Sequence, residues 1–197
     1  FVDPPTTPLM WIRWAENITE KNLPRSLNNW VSLDKVSPAM KKAVIAAEDQ
    51  KFFSHNGFDW LAIEYALKTN ITTDRKLGAS TISMQTARNV FLWQNRTWLR
   101  KLMESYFTML IEFFWSKQRI LEVYLNVIEW GDGIYGCERA AKSYFEHASK
   151  TLSPVESAWM AAVLPSPLNW TKRPTSAHVK ARQLKILNIL PSIRIVN

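Results

Sequence analysis

Ala47-Glu48-Asp49-Gln50-Lys51-Phe52-Phe53-Ser54-His55-Asn56-Gly57-Phe58-Asp59 crowds charged side chains against aromatic ones where a helix should end. The helix before it opens with Ser37, suited to accept from free backbone N–H groups, and has Pro38 at the first helical position. Met40, Val44 and Glu48 are spaced four apart and share one face. That face is apolar except for its last member, a carboxylate. A carboxylate at the rim of an apolar face is partly desolvated, which favours its neutral form and makes it a better proton acceptor. Asp49, Lys51 and His55 then fill a short turn closed by Gly57. Polar groups beside Phe52, Phe53 and Phe58 are costly unless they pair with one another or with a ligand. At this point a solvated helix end and a chemical site are both open readings.

Three later clusters bear on the choice. The first is Gly78-Ala79-Ser80-Thr81-Ile82-Ser83-Met84-Gln85-Thr86-Ala87-Arg88-Asn89. The second is Arg100-Lys101-Leu102-Met103-Glu104, and the third runs from Ser116 through Lys117, Glu122 and Tyr124 to Asn126. Two further stretches follow, Glu129–Gly136 and Ser153–Glu156. Together, and in this order, they resemble the peptidoglycan glycosyltransferases of glycosyltransferase family 51, in particular the monofunctional members without a transpeptidase domain. The resemblance runs from about Trp30 to the C-terminus.

The resemblance implies a mainly α, lysozyme-like, two-lobed single domain over residues 30–197, with 1–29 as a membrane-proximal connector. It implies polymerisation of lipid II into glycan strands with release of a lipid diphosphate and inversion at the anomeric carbon. By the family pattern Glu48 is the general base and Glu104 the second essential carboxylate. Three roles stay open for Glu104: orienting cations, holding a divalent cation (Mg or Mn) at the diphosphate, or assisting departure. Arg88, Arg100 and Lys101 are the candidates to face the diphosphate, arginine by bidentate contacts and lysine as a point charge. Asp49, Phe52 and His55 would support Glu48, while Ser80, Thr81, Gln85 and Asn89 would line the site. Lys117, Glu122 and Tyr124 match the pattern but are open to a purely structural reading. Two positions depart from it: Met84 stands where the family usually has Gln, and Arg88 where it usually has Lys. Met84 supplies no amide hydrogen bonds, so that position is not needed for chemistry here; Arg88 keeps the charge and changes the geometry.

Composition agrees with this class. The 197 residues are 47% hydrophobic, enough for one domain with a sizeable core. A net charge of +8 points to an anionic partner. No arginine-rich run, aromatic RNP signature or zinc-ligand spacing is present, so nucleic acid is a poor fit, and an anionic membrane surface or a diphosphate a better one. Ten tryptophans suit places that are apolar on one side and wet on the other. Cys137 is the single cysteine, so no intramolecular disulfide forms. His55, His147 and His178 show no metal-ligand spacing. No apolar stretch is long enough to span a bilayer. The chain starts at Phe1, and Asp3-Pro4-Pro5-Thr6-Thr7-Pro8 reads as a stiff connector after further N-terminal sequence. The resemblance puts a single-pass anchor there, in the bacterial inner (cytoplasmic) membrane, with the catalytic domain on the periplasmic side. Other cell-wall synthesis proteins are candidate partners.

Along the rest of the chain, residues 9–17 with Trp11 and Trp14 read as a short helix, membrane-proximal or packed on the domain. Residues 18–37 are a connector broken by Pro24. Asp59 caps a helix over about 60–68 ended by Asn70, and 71–79 is a polar loop with Asp74, Arg75 and Lys76. Ser80 is expected to cap a helix over 81–93, with Gln85 and Asn89 on one stripe. Thr97 caps a helix over 98–115 whose Met103, Phe107, Leu110 and Phe114 have core spacing. Phe91, Trp93, Arg96, Trp98 and Arg100 suit a membrane interface or ordinary packing. Residues 126–136 read as a glycine-rich connector, and Ser153-Pro154-Val155-Glu156 as a capping box. A last amphipathic helix over 177–190 carries Lys180, Arg182 and Lys185 on its polar side and Leu184, Ile186, Leu187 and Leu190 on the other.

Two rivals remain. A lysozyme-like hydrolase or lytic enzyme shares the fold class and the carboxylate but does not need the Arg88, Arg100 and Lys101 cluster. A non-catalytic basic membrane-binding module fits the charge and the tryptophans. It does not explain carboxylates set among the cations.

Overall fold

A computed structural model describes residues 3–4, 6–16, 29–74, 77–93 and 97–195. Arg75, Lys76, Arg96 and most of the 18–37 connector, Pro24 included, lie outside the described residues, as does the side chain of Trp14. The elements in order are α1 Pro8–Glu16, α2 Pro38–Glu48, α3 Trp60–Thr72, α4 Ile82–Phe91, α5 Trp98–Phe114 and α6 Lys117–Val127. A hairpin of β1 Glu129–Gly131 and β2 Ile134–Tyr135 follows. Then come α7 Cys137–Phe145, α8 Pro154–Val163, α9 Pro167–Trp170 and α10 Ala177–Ile189. The fold is mainly α, and the antiparallel hairpin is the sheet among the described residues.

Side-chain caps set most of the helix starts. Ser37, Asp59, Thr97, Ser116 and Ser176 each accept from a backbone N–H in the first turn of the helix they precede. Ser153 and Glu156 complete a reciprocal capping box with Pro154 at the first position of α8. The cap of α4 is one residue later than expected. Thr81, not Ser80, accepts from Met84 N, and its own hydroxyl donates to Gly57 O at 2.6 Å, so the residue that can tie two segments takes the cap. Asn70 does not stop α3. Its side chain brackets Leu77, donating to the carbonyl and accepting from the N–H, and the helix continues to Thr72. The glycine-rich connector is a hairpin in which Gly131 lies against Tyr144: a Cβ there would stand 2.0 Å from its hydroxyl oxygen.

The core lies in two connected parts. On one side α8 packs on α2 and α10, burying Met40, Val44, Ile45, Met160 and Val179. On the other α4 packs on α5 and α6, and the buried side chains of both parts form one continuous cluster. Ile120, Leu121, Tyr124 and Leu125 of α6 are fully buried, and Trp130 of β1 fills the adjoining space. α1 lies against α4.

Helix α5 corrects the expected stripe. Its buried residues are Arg100, Glu104, Thr108 and Ile111, whereas Met103, Phe107 and Leu110 are half-buried and Phe114 is 60% exposed. The helix turns its polar face inward because Arg100 and Glu104 neutralise each other there and the Thr108 hydroxyl donates back to Glu104 O at 2.6 Å.

Candidate active site

Glu48 is the last residue of α2, where the helix's final carbonyls have no partner within the helix. Its side chain is 14% exposed. The expected apolar surroundings are not what holds it. Oε1 accepts from Arg182 Nη2 at 3.0 Å, and Oε2 accepts from Gln85 Nε2 at 2.9 Å. Gln85 Oε1 in turn accepts from the Tyr124 hydroxyl at 3.3 Å. Burial, and next the charge of Glu48, push the Tyr124 phenol well above its usual range. The hydroxyl therefore stays protonated and donates, which fixes Gln85 with its amide N–H groups toward Glu48. Tyr124 is thus a structural residue of α6 that also sets an orientation in the site.

The turn after Glu48 is braced from within. Asp49 is buried, its two oxygens lie 2.9 and 3.0 Å from His55 Nε2, and Oδ2 also accepts from Ile82 N at the start of α4. Phe52 has no exposed surface, lies edge-on to Phe53, and carries Lys117 Nζ 4.6 Å above its ring. Asp49, Phe52 and His55 thus brace the turn that follows Glu48. Thr81 and Asn89 are buried in α4 and its cap, whereas Ser80 is half-exposed. A cleft of about 310 Å³ opens beside the turn, lined by Glu48, Asp49, Lys51, Asp59, Gly78 and Ser80 among others.

The cations gather on α4 and α5, which pack together. Arg88 stands three residues after Gln85 on α4, half-buried, with its Nε buried and unpartnered. Glu104 is 1% exposed; Oε2 takes Arg100 Nη1 at 2.5 Å and Oε1 takes Lys101 Nζ at 2.6 Å. Arg100 keeps a buried, unpartnered Nε, and the Lys101 side chain is 42% exposed. Both oxygens of Glu104 are thus occupied by cations. Among the described residues no group of three or more His, Cys, Asp or Glu side chains stands close enough to hold a metal ion.

The third cluster is scaffold. Lys117 pairs with Glu112 at 2.7 Å, and Glu112 also accepts from the Ser83 hydroxyl. Glu122 accepts from Leu33 N at 2.8 Å, and Asn126 exchanges two hydrogen bonds with the Val31 backbone. Glu122 and Asn126 clamp the chain entering α2 onto α6.

The sequence matches the transglycosylase family over residues 16–190. The chain belongs to the transglycosylase family. It is 50% identical over 98% of its length to the biosynthetic peptidoglycan transglycosylase of Bdellovibrio bacteriovorus, of which it covers 78%. It is 50% identical over 94% of its length to the protein of that name from Bacteroides thetaiotaomicron, covering 76% of it. With the one from Caulobacter vibrioides the figures are 47%, 98% and 82%. The transglycosylase is therefore an enzyme, a glycosyltransferase of peptidoglycan biosynthesis, and the non-catalytic binding module is set aside.

Sequence reasoning missed one residue in this transglycosylase's site. Arg182 was assigned to a solvated face with Lys180 and Lys185. At 100° per residue, however, positions 180 and 182 point in nearly opposite directions. Arg182 follows buried Val179 by three and precedes buried Ile186 by four, so it lies on the inward face of α10. An arginine in register with an apolar stripe was the available signal. Leu184, expected to pack, is exposed.

Proposed function

We propose that this transglycosylase polymerises lipid II into glycan strands, with Glu48 as general base on the acceptor 4-hydroxyl. The observation that carries the reading is a partly exposed carboxylate at a polar cleft, held at both oxygens, with cations on the neighbouring helices α4 and α5. In the step, the acceptor O4 bonds to the anomeric carbon of the donor sugar as its proton passes to Glu48. The bond from that carbon to the diphosphate oxygen breaks, and the lipid diphosphate leaves with the electron pair. Attack opposite the leaving group inverts the anomeric centre. Arg88, Arg100 and Lys101 stabilise the charge that develops on the diphosphate, and the buried N–H groups of Arg88 and Arg100 have hydrogen bonds left to give. Glu104 acts by holding Arg100 and Lys101 in place. A diphosphate leaves without a strong acid, so the site needs a base and cations rather than two proton-transfer carboxyls. This requirement separates it from a glycan hydrolase.

The substrate's lipid tail requires a site that meets a bilayer. No helix of the described residues is long and apolar enough to cross one. The face that suits a membrane surface is larger than Phe91 and Trp93, and Phe91 is stacked on Phe107 at 4.6 Å. Trp98, Leu102, Met109 and Phe113 lie along one side of α5, all exposed, and α3 separately exposes Trp60, Leu61 and Tyr65. We place the enzyme at the outer surface of the cytoplasmic membrane, with lipid II and the growing glycan as partners.

The test is polymerisation of purified lipid II by the wild type and by Glu48→Gln, with melting curves of both. Polymer from the first and none from an equally stable variant is the expected result. Polymer from the variant at the wild-type rate removes Glu48 from the chemistry. Cleavage of finished strands without polymerisation replaces the synthase by a hydrolase.

A further inference from the structure

Glu48 and Arg182 are 134 residues apart in sequence and 3.0 Å apart in space. We propose that Arg182 is a positioning residue for glycosyl transfer, acting through Glu48; the inference rests on the reading of Glu48 as the base.

A carboxylate on the last residue of a helix has little to restrain its rotation. Here two donors from different elements grip its two oxygens, Arg182 of α10 at Oε1 and Gln85 of α4 at Oε2. Each oxygen has two lone pairs, so one remains on each for an incoming hydroxyl. A base must stand within about 3 Å of its proton along a usable direction, and a misplacement of about 1 Å costs on the order of a hundredfold in rate.

Arg182 has an anchor independent of the carboxylate. Its Nη2 also reaches Ala47 O at 3.4 Å, one of the carbonyls left free at the end of α2. The guanidinium thus references the Glu48 side chain to the backbone that carries it. Its side chain is 29% exposed, and its Nε is buried with no hydrogen-bond partner. The head group is therefore fixed by α2 rather than by a set of contacts of its own. It is not what fastens α10 either: Val179, Ile186 and Leu190 are buried against the rest of the fold, and α10 packs extensively on α8. An arginine whose removal leaves the packing in place, but frees one oxygen of the base, acts on the rate.

The experiment compares the full chain with Arg182→Lys, Arg182→Met and Glu48→Gln on purified lipid II, measuring kcat, KM and Tm for each. Arg182→Met is expected to lower kcat by about 30- to 100-fold, with KM within about twofold and Tm within a few degrees of wild type. Arg182→Lys is expected to recover about tenfold of that loss, since an ammonium supplies one donor but not the fork that also reaches Ala47 O. A purely structural role predicts a fall in Tm with no such recovery, and that pattern overturns the proposal. So does an unchanged kcat in Arg182→Met, or a loss confined to KM, which would make Arg182 a substrate contact. If Arg182→Met does not melt cooperatively, Arg182→Lys decides alone: a native Tm with wild-type kcat overturns the proposal, and a native Tm with reduced kcat supports it. Active Arg182→Met beside inactive Glu48→Gln removes only Arg182, whereas active Glu48→Gln removes the base reading itself.

Discussion

Glu48 and Glu104 are both carboxylates near cations, and their surroundings separate their roles. Glu48 stays partly exposed at a cleft and has lone pairs to spare. Glu104 is sealed, with a cation on each oxygen. Replacing Glu104 by Gln leaves buried Arg100 without its counter-charge, so we expect a loss of about 3 kcal/mol. For a chain of this length that is a fall in Tm of roughly 6–12 °C, read by thermal melting. Weaker binding of the diphosphate substrate, read as a raised KM, should accompany it. Tyr124→Phe tests the far end of the Glu48 network. It deletes one buried hydroxyl together with its 3.3 Å bond to Gln85, so stability should move by about 1 kcal/mol or less. Gln85 is then free to turn its amide, and kcat should fall about tenfold. Unchanged turnover in a stable variant would show that Gln85 needs no help from Tyr124.

Among the elements, α5 departs furthest from its sequence pattern. Apolar residues occupy much of its circumference, so periodicity alone did not choose the buried side. The choice fell to the Arg100–Glu104 pair, which loses less when neutralised inside than the surrounding apolar groups lose outside only if those groups have somewhere else to go. On the membrane-surface reading proposed above, a bilayer is that place: Trp98 is 91% and Phe113 82% exposed. Leu102→Ser with Phe113→Ser should therefore reduce co-sedimentation with anionic liposomes by about tenfold or more while leaving Tm within a few degrees, because neither side chain packs in the core. Liposome binding equal to wild type would move the membrane contact elsewhere. The same element also packs on Phe91, which stays 38% exposed. Its ring stacks on Phe107, a contact between two helices that their separate sequences do not announce.

At the scale of the molecule, the site is a meeting of α2, α4, α6 and α10. Helix α2 brings the Glu48 carboxylate, α4 an amide and α6 the hydroxyl that orients it; α10 brings the guanidinium. Helix α5 adds its cations through its packing on α4. The helix starts, the capping box, the turn at Gly57 and the ordered motifs were legible in the chain, because each rests on residues within about four positions of one another or on a pattern of residue types. So was the family. The cap of α4, the inward face of α5 and the part played by Arg182 were not. Each depends on what stands opposite: the Gly57 carbonyl for Thr81, a buried counter-charge for Arg100, and for Arg182 a carboxylate 134 residues earlier. Local chemistry by itself determined where most of the helices start, and the ordered motifs determined the family. Only the packing of α10 over α2 decided what grips the Glu48 carboxylate, because a hydrogen bond of 3.0 Å across that sequence separation exists only once the core between the helices has closed.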